Sequence, residues 1–583
     1  MKILTLHVDY VKFKPLKKAL KSIGELPEAE KEVKDIKEAL MVLTAVEKED
    51  NPVEIVKKLI ENVKDIAKQV NVKNIVLYPY AHLSSNLASP ELASNVLNEA
   101  EKALIKAEFN VTKAPFGYYK EFEVKVKGHP LSELSREIRN DSLSLDKSKQ
   151  NEKGSGKIEI KEEVYDTKQL LREINKAKLD RRKLKDNDHR ILGQEMDLFS
   201  FNEVAPGMVF WHNNGLIIFN ELADYWREEH RKAGYQEIKT PQIMDSKIWK
   251  VSGHWDKYKE NNFLTQYEGR PFLVKPMNCP GGMLVYKSEP KSYKNLPLRV
   301  GELGLVHRTE LSGVLAGLFR VIQFTQDDAH IFCTEKQLES EILGIMELIY
   351  SFYKKFKLDF DRVELSTRPE KRIGSDKDWD KAEKLLEDVL KKQKVRYKIN
   401  KGDGAFYGPK IDFHVKDSLD RTWQLSTIQL DFSLPERFDL IYKDKDGNEQ
   451  RPIILHRVIY GSIERFLGIY LEHTRGRLPT WLAPVQVGVL SFTDRNKEAA
   501  LKVFNKLKKN IPKLRIETDF RAESVPLKVK DAELLRVPYV VVIGDKEEEK
   551  GTVAVRVRGS KEIKIMSVED FFSLLIDEID NRK

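Results

Sequence analysis

The stretch RVIQFTQDDAHIFC, residues 320–333, limits the possible folds more than any other part of the chain. Its short apolar and polar alternation is typical of a β-strand, whose side chains point to opposite faces in turn. One face would carry four polar residues, namely Arg320, Gln326, Asp328 and His330. The other face would include Thr325 and Asp327, so neither face is plainly the solvent face. The pattern alone is equally compatible with a surface strand and with a strand that lines a functional site.

The preceding segment, GELGLVHRTE at residues 301–310, has the pattern of a neighbouring strand. A glycine-containing loop joins the two segments, and we expect them to pair as antiparallel strands. This pairing would bring Arg308 and Glu310 towards the polar face. Two arginines beside carboxylates, without a glycine-rich phosphate loop, favour phosphate recognition by forked guanidinium groups.

The length of 583 residues exceeds what one hydrophobic core supports and predicts about three or four domains. The composition, 41% hydrophobic and 33% charged, is typical of a globular protein, and we expect no membrane span. The beginning, MKILTLHVDYVKF, predicts a first strand and not a signal peptide. Together with the scarcity of cysteine, this indicates a cytoplasmic protein. A net charge of +9 permits a polyanionic partner without requiring one.

The chain divides by pattern into four parts. Residues 1–140 alternate β-rich runs with helical periods and predict a compact α/β domain. Residues 141–190 predict a polar linker, clearest at 141–160, followed by a charged helix. Residues 191–482 are rich in strands, with a helix predicted over 217–233 that ends at Gly234 and a following strand, YQEIKTP. Residues 483–583 alternate strands and helices and predict a separate α/β domain with a mostly parallel sheet.

Cys279 lies between prolines and glycines in VKPMNCPGG, residues 274–282. No other cysteine or histidine lies within metal-binding spacing of it, so no local zinc motif applies. Taken alone, Cys279 is best interpreted as a small buried apolar residue. Cys333 has the same interpretation.

These segments together resemble a known family. VHRTE…LFRVIQFTQDDAHIF resembles motif 2 of the class II aminoacyl-tRNA synthetases, EIKTP resembles motif 1, and GSIERFLG at 461–468 resembles motif 3. KPMNCPGG, FTQDDAHIF, AFYGPKIDF, WQLSTIQLDFSLPERF and HRVIYGSIERF resemble threonyl-tRNA synthetases in particular. In the first 140 residues, LYPYAHLSS, APFGYYKEF and KGHPLSE resemble the archaeal editing domain of that family, a relative of D-aminoacyl-tRNA deacylases.

The resemblance implies a multidomain α/β and α+β protein. A class II catalytic core built on an antiparallel sheet would carry an N-terminal deacylase-like editing domain and a C-terminal α/β anticodon-binding domain. A homodimer would form through the motif 1 region.

The resemblance also implies one zinc ion per subunit, held by Cys279, His330 and His456. Three protein ligands leave a fourth position open, where the amino and hydroxyl groups of threonine would bind. An apolar pocket separates valine from threonine by only about 1–3 kcal/mol, whereas a site that must bind the hydroxyl rejects valine strongly. Serine also has the hydroxyl, which predicts a second, hydrolytic site.

The expected activity is the ATP- and Mg²⁺-dependent activation of L-threonine and its transfer to tRNA(Thr). Arg308 and Arg465 would bind the α- and γ-phosphates, Glu310 would bind the adenine amino group, and Arg320 would assist with the triphosphate. His254 would be a base in transfer, although a packed histidine beside tryptophan is an equally common case. The predicted substrate-binding residues are Met277, Gln326, Asp328, Tyr407, Gln429 and Ser462.

The matched editing residues are His82, Tyr119, Lys120 and Glu133, with Lys120 as a donor to the developing oxyanion. A structural role for His82 remains an alternative. In the C-terminal domain Glu547 and Arg556 match positions that read anticodon bases, and the predicted phosphate contacts are Arg521, Lys528 and Lys530. Ala522 and Pro526 depart from the family pattern, which leaves the anticodon contacts open.

Two other hypotheses remain. The chain could be an inactive synthetase-like protein that binds RNA or regulates, or its N-terminal domain could have lost editing. The retained motif arginines Arg308 and Arg465 and the retained metal-site residues favour the enzyme.

Overall fold

The computed structural model describes residues 1–20, 23–48, 50–84, 86–129, 131–138, 166–174, 181, 184–257, 262–417 and 420–583. The chain forms two compact units, Met1–Gly154 and Ser155–Lys583. The predicted linker at 141–160 lies outside the described residues, as does part of the predicted charged helix. None of the helices among the described residues has both the length and the apolar character that crossing a membrane demands.

The first unit is built on a six-stranded sheet in the order β4-β3-β2-β1-β5, with β6 also paired to β1. The strands β2, β3 and β4 run parallel, and β1 is antiparallel to β2, β5 and β6. The elements are β1 (Lys2–Lys18), α1 (Glu28–Lys31), β2 (Lys34–Ala45), α2 (Pro52–Gln69), β3 (Asn74–Pro79), α3 (Pro90–Lys106), β4 (Asn110–Lys113), β5 (Tyr118–Val126) and β6 (Glu133–Glu137).

Both faces of this sheet are covered, which explains the continuous apolar run ALMVLTA in β2. The apolar stripes of α2 and α3 pack on one face. On the other face, residues of the distal half of β1, such as Phe13, pack with Tyr78 and with apolar residues of β2. The expected α/β class of this domain is therefore confirmed.

The larger unit contains an eight-stranded sheet in the order β16-β15-β17-β18-β21-β14-β13-β9. Its neighbours are antiparallel except β13 with β9 and β15 with β16. The elements of this part are α4 (Thr167–Ile174), α5 (His189–Glu195), β7 (Phe199–Ser200), β8 (Phe210–Trp211), α6 (Asn213–Lys232), β9 (Gln236–Glu237), β10 (Ile243–Asp245), α7 (Ser246–Ser252), α8 (His254–Lys257), β11 (Leu264–Tyr267), β12 (Arg270–Val274), α9 (Cys279–Lys287), β13 (Leu298–His307), β14 (Gln323–Cys333), α10 (Leu338–Lys355), β15 (Phe360–Ser366), α11 (Asp376–Lys392), β16 (Tyr397–Asn400), β17 (Lys410–Lys416), β18 (Thr422–Asp431), α12 (Ser433–Arg437), β19 (Tyr442–Lys443), β20 (Glu449–Gln450), β21 (Ile453–Val458) and α13 (Ile463–Thr474).

The helices α6, α10, α11 and α13 cover one face of this sheet and form the largest apolar core with it. Gly301 on β13 allows α6 to approach closely, because a Cβ there would lie 2.8 Å from the Trp226 ring. Cys333 is fully buried in the same core, as its interpretation as an apolar residue requires. On the other face α9 and α12 pack against β14 and β21 in a smaller apolar cluster, and the site lies beside them.

The two strands predicted within residues 301–310 and 320–333 are paired as expected. β13 and β14 are antiparallel, with Glu302 opposite Asp328 and Val300 opposite His330. The helix predicted over 217–233 is α6, and Gly234 beyond its end has a positive φ of 77°. The predicted strand YQEIKTP is much shorter than expected, because only Gln236–Glu237 pair with β13.

The C-terminal part has a five-stranded sheet in the order β23-β22-β24-β25-β26. β22 is parallel to both of its neighbours, β23 and β24, whereas the pairs β24–β25 and β25–β26 are antiparallel, so the expectation of a mostly parallel sheet was wrong. A short turn joins β25 to β26, and no crossover helix separates them. The elements are β22 (Val487–Ser491), α14 (Lys497–Asn510), β23 (Ile516–Asp519), α15 (Val525–Leu534), β24 (Tyr539–Ile543), α16 (Asp545–Lys550), β25 (Thr552–Val557), β26 (Ile563–Ser567) and α17 (Val568–Asp580).

Candidate active site

A cleft of about 470 Å³ opens on the face of the eight-stranded sheet opposite the largest apolar core. Its walls come from β14, β17, β18 and β21, the start of α13 and the loop between β13 and β14. Most residues predicted for catalysis, substrate binding and metal binding line it: Met277, Cys279, Arg308, Glu310, Arg320, Gln326, Asp328, Tyr407, Gln429, His456, Ser462 and Arg465. Segments nearly 190 positions apart in the chain thus meet in one place.

Cys279, His330 and His456 form a buried cluster whose ligand atoms all lie within 4.8 Å of one another. His330 and His456 face each other in the register of β14 and β21, with ring centroids 4.9 Å apart. Cys279 begins α9. Gly282 in that helix permits the close approach, since a Cβ there would lie 3.3 Å from His330 Nδ1.

Two nitrogen atoms of this cluster have no hydrogen-bond partner among the described residues, so the cluster could hold a metal ion. His330 Nε2 and His456 Nδ1 are buried and make no hydrogen bond. Asp328 Oδ2 lies 3.9 Å from His330 Nε2, beyond hydrogen-bonding distance. Burial lowers the pKa of His330 well below its ordinary value, so this imidazole is neutral, which is its metal-binding form. One sulfur and two nitrogen donors with a place left open suit a zinc ion.

Polar side chains border this cluster at the inner end of the cleft. Asp328 is buried, and Asn278 Nδ2 donates to its Oδ2 at 3.3 Å. Burial raises the pKa of the Asp328 carboxyl. The Tyr407 hydroxyl donates to Gln429 Oε1 at 2.7 Å and so orients that amide. This end of the cleft can accept an ammonium group and a hydroxyl group.

Arginine side chains gather at the other end of the cleft. Arg308 Nε donates to Pro276 O at 3.1 Å, and Arg465 Nε donates to Phe319 O at 2.8 Å. Arg320 pairs with Glu310 at 3.0 Å. Burial, followed by the neighbouring charges of Arg320 and Arg308, lowers the pKa of Arg465, and Glu310 acts in the opposite direction. Three arginines gathered in this way suit a polyphosphate.

Two buried carboxylates hold the start of motif 3, and sequence analysis assigned neither of them a role. Asp327 accepts hydrogen bonds from the backbone N–H groups of Ile459, Tyr460 and Gly461 at 2.8–2.9 Å. Glu464 accepts from Thr325 N at 2.9 Å. Burial raises the pKa of Asp327 to about 6 and that of Glu464 to about 7. One face of β14 therefore lines the cleft, and the other makes hydrogen bonds to this loop.

Sequence analysis also missed a polar set on β17 and β18. Lys410, Gln424 and Thr427 line the cleft, and all three bind the buried carboxylate of Asp412. Lys410 Nζ lies 3.0 Å from Asp412. All four residues lie in the quoted blocks AFYGPKIDF and WQLSTIQLDFSLPERF, but only the pairing of the two strands shows that they meet.

His254, the proposed transfer base, is buried and does not line the cleft. Its Nδ1 lies 2.8 Å from Ser252 Oγ, and its ring packs against Phe406. Burial lowers the pKa of His254 to about 3, so the imidazole is neutral. Its catalytic role stays a prediction.

Three of the four editing residues lie in one region of the first unit. The ammonium group of Lys120 donates to Pro115 O and Tyr118 O at 2.9 and 3.0 Å and lies over the Tyr78 ring. Tyr78, Tyr80 and His82 form a continuous row of rings. Tyr119 is the exposed neighbour of Lys120. Glu133 is placed apart from this set among the described residues: it pairs with Leu6 on β1, whereas Lys120 pairs with Pro15.

The predicted anticodon residues lie on one sheet and the helix beside it. Glu547 in α16 accepts from Gly544 N at 3.0 Å, and Arg556 is half-buried on β25. Arg521 is exposed and paired with Asp519 and Asp531 at 2.6 Å, and Lys530 is exposed. Lys528 does not fit its predicted role as a phosphate contact. It is buried and donates to Ser491 O at 3.1 Å, which removes its ammonium group from the surface.

Family models match three parts of the chain. Residues 1–138 match the Archaea-specific editing domain of threonyl-tRNA synthetase. Residues 261–474 match the class II core domain of tRNA synthetases (G, H, P, S and T), and residues 486–578 match an anticodon-binding domain. This three-domain architecture confirms the expected fold class.

Similar proteins agree with these matches. The chain is 52% identical over 431 residues to the threonine–tRNA ligase of Clostridium tetani, which covers 74% of this chain and 67% of that protein. It is 54% identical over 395 residues to that of Caldanaerobacter subterraneus, covering 68% and 61%.

Two solved structures are also similar. The RNA-binding domain of threonyl-tRNA synthetase from Cryptosporidium parvum has a TM-score of 0.64 and 40% identity, covering 67% of this chain and 97% of that one. A putative threonyl-tRNA synthetase from Aeropyrum pernix has a TM-score of 0.60 and 30% identity, covering 68% and 96%. With 52% identity to a threonine–tRNA ligase over 74% of its length and a family model for each of its three parts, this chain belongs to the threonyl-tRNA synthetase family.

Proposed function

We propose that this protein ligates L-threonine to tRNA(Thr) through an ATP-dependent threonyl-adenylate and hydrolyses mischarged seryl-tRNA. The observation that carries the proposal is the single cleft in which a Cys/His cluster lies at one end and three arginines at the other. Nothing in the described site favours the alternative of an inactive RNA-binding protein, because such a protein would need neither the Cys/His cluster nor the three arginines.

Cys279, His330 and His456 would hold one Zn²⁺ per subunit, since their donor atoms are close, buried and partly unpartnered. When bound, the ion would supply a Lewis acid for the amino and hydroxyl groups of threonine. The Asp431 carboxylate accepts a hydrogen bond from His456 Nε2 and thereby turns Nδ1 towards the cluster. Asp328 would accept from the substrate ammonium and hydroxyl groups, and Gln429 would complete the pocket with its orientation set by Tyr407.

The arginines would act by position and charge. Arg308 would bind the α-phosphate where the threonine carboxylate attacks, and Arg465 would bind the γ-phosphate of ATP, which enters with Mg²⁺. In the structure Arg320 pairs with Glu310, so ATP would exchange this pair for the triphosphate and the adenine amino group. Arg308 and Arg465 are held in place before the reaction by the carbonyl groups of Pro276 and Phe319, so these two need no costly reorganisation as negative charge develops.

The polar inner end of the cleft accounts for selectivity. Valine would leave buried polar groups such as Asp328 without the hydrogen bond from the substrate hydroxyl, which is much more costly than the loss of a methyl contact. Serine keeps the hydroxyl group, so the pocket would also accept serine. The first unit would then remove serine, with Lys120 beside the row of rings as the donor to the ester oxyanion.

We further propose a homodimer through the motif 1 region and a location in the cytoplasm, where ATP and tRNA are available. β9 ends the eight-stranded sheet, and its residues Gln236 and Glu237 are exposed, so this edge is accessible to a second copy. The C-terminal sheet would bind the anticodon through Glu547 and Arg556.

The test is ATP–pyrophosphate exchange with threonine, serine and valine, together with the zinc content of the same purified sample. Strong exchange with threonine, appreciable exchange with serine, negligible exchange with valine and stoichiometric zinc would support the proposal. Absence of zinc and of exchange with all three amino acids would overturn it.

A further inference from the structure

A second cluster of potential ligand atoms lies behind the cleft, at Asp188, His189 and Glu472. Unlike the first cluster, its donor atoms are engaged. Asp188 binds the Arg190 side chain at 2.8 and 2.9 Å, and Glu472 Oε2 lies 2.9 Å from Arg421. His189 is bonded through both ring nitrogens, so this cluster is a hydrogen-bonded assembly and not a metal site.

The partners of His189 determine its tautomer. Nε2 accepts from the backbone N–H of Leu318 at 2.9 Å, so it carries no proton. Nδ1 therefore carries the proton and donates to Glu472 Oε1 at 2.7 Å. The contact with the loop is close, because a Cβ on Gly317, which has a φ of 56°, would lie 2.2 Å from Nε2. His189 thus requires glycine next to Leu318.

This contact leads directly to the phosphate end of the cleft. Leu318 is followed by Phe319, whose carbonyl oxygen accepts from Arg465 Nε at 2.8 Å. The Phe319 ring packs against the His189 ring at 4.2 Å and the Trp423 ring at 4.6 Å. The Arg421 guanidinium group lies over the same ring at 4.9 Å. Phe319 is therefore fixed on several sides with its carbonyl group towards Arg465.

The other nitrogen of His189 is tied to the helix that carries Arg465. Glu472 lies seven residues after Arg465 in α13, which places both on one side of that helix after two turns. His189 consequently connects α13 with the loop that precedes Arg320. One buried imidazole sets the spacing between the two elements that bear the phosphate-binding arginines.

We propose that His189 is a positioning residue for ATP: through Leu318 and the Phe319 carbonyl group it holds Arg465 where the γ-phosphate binds. This inference rests on the proposed function, and it adds a residue that never touches the substrate. His189 is 1% exposed and lies behind Phe319 as seen from the cleft.

Two isosteric variants separate the two hydrogen bonds. In His189→Gln the amide oxygen can reach the Nε2 position and accept from Leu318, while the donor to Glu472 is lost. In His189→Asn the amide nitrogen stands at the Nδ1 position and can donate to Glu472, while the acceptor for Leu318 is lost. We expect His189→Asn to raise the KM for ATP in pyrophosphate exchange about tenfold, with the KM for threonine nearly unchanged. His189→Gln should stay within about threefold of the unchanged protein.

A purely structural role, in which His189 only attaches α5 to α13, predicts a larger rise in the KM for ATP in His189→Gln than in His189→Asn, or equal losses in all kinetic constants. Either result would overturn the inference. Gly317→Ala disturbs the same contact between Leu318 and His189 by a change in the loop. This variant tests the proposal if the His189 variants do not fold. It should reproduce the raised KM for ATP, and a normal value would also refute the role. Absence of exchange in the unchanged protein would instead overturn the proposed function itself.

Discussion

Asp431 Oδ2 lies 2.8 Å from His456 Nε2, and both side chains are buried. A carboxylate in this position orients a metal-binding histidine and raises the affinity of its other nitrogen for the ion. Asp431 also accepts from the N–H groups of Ser433 and Leu434 through Oδ1. Asp431→Asn keeps that oxygen but puts an NH₂ group opposite the N–H of His456. We expect zinc affinity to fall about 10- to 100-fold, measured by competition with a chromogenic chelator.

The two cysteines supply the control for the metal site. Cys279→Ala should lose zinc and threonine activation together. Cys333→Ala removes a buried sulfur in the main apolar core and should keep both. Equal zinc retention in the two variants would argue against the assigned cluster.

The Tyr407 hydroxyl should matter for threonine and not for ATP. Tyr407→Phe removes the donor that fixes Gln429, and a lost hydrogen bond of about 1 kcal/mol corresponds to an approximately fivefold higher KM for threonine. Exchange kinetics at varied threonine and varied ATP would separate the two effects. Tyr286→Phe, whose hydroxyl donates to Ile441 O, is the matched control and should leave both constants unchanged. An effect confined to ATP would contradict the placement of threonine.

Editing should depend on pH through Lys120. Burial lowers the pKa of this side chain to about 8, whereas an unfolded lysine titrates near ~10.4. The protonated donor is lost as pH rises through about 8, so deacylation of seryl-tRNA should slow there. Lys120→Arg keeps its charge and should abolish this decline, while Lys120→Met should reduce the rate about 100-fold. Lys102→Met, at an exposed lysine of the same unit, should have no effect.

The same shift predicts the direction of a stability change. Between pH 8 and about 10.4 the unfolded chain holds the lysine proton and the folded unit does not. Stability should therefore rise with pH across this window through this group.

For the editing prediction, a rate of deacylation that stays constant through pH 9 would show that Lys120 does not act as the charged donor.

The buried pair of Lys275 and Glu302 predicts a large stability loss. Lys275 Nζ lies 2.8 Å from Glu302 and 3.0 Å from Thr240, and Lys275 is fully buried. Lys275→Met leaves a buried carboxylate without its partner and should destabilise the larger unit by about 3–5 kcal/mol. The measurement is the shift of the urea midpoint of that unit, followed by a probe specific to it.

Two further variants test the explanation. Lys275→Met combined with Glu302→Leu removes both charges and should recover much of the loss. Lys392→Met breaks an exposed pair with Glu339 and should cost at most about 1 kcal/mol. A double variant as unstable as the single one would show that packing, and not charge, is responsible.

Much of the site could be predicted from local sequence. The period of two in β14 placed Gln326 and Asp328 on the face that lines the cleft, and the pairing of β13 with β14 followed from their adjacency. Cys279 could not be assigned a metal on its spacing, because its partners come from strands far along the chain. Only the resemblance connected those blocks.

The failures share one physical cause. Lys528 was predicted to be a surface cation, but it is buried and donates to Ser491 O. The C-terminal sheet was predicted to be mostly parallel, but β25 is antiparallel to both β24 and β26, which makes half of the strand pairs in this sheet antiparallel. The sequence placed Asp327 on the second face of its strand and Asp412 in a family block, but it did not show the partners of either residue or of His189, which come from other elements.

The sequence by itself determined the strand and helix patterns, the family and the chemical types of the side chains, since these depend on local periodicity and on recognisable blocks. The tertiary structure alone decided which buried polar groups face one another. Hydrogen bonds and ion pairs extend only about 3 Å, and folding brings residues as distant as His189 and Glu472 within that range.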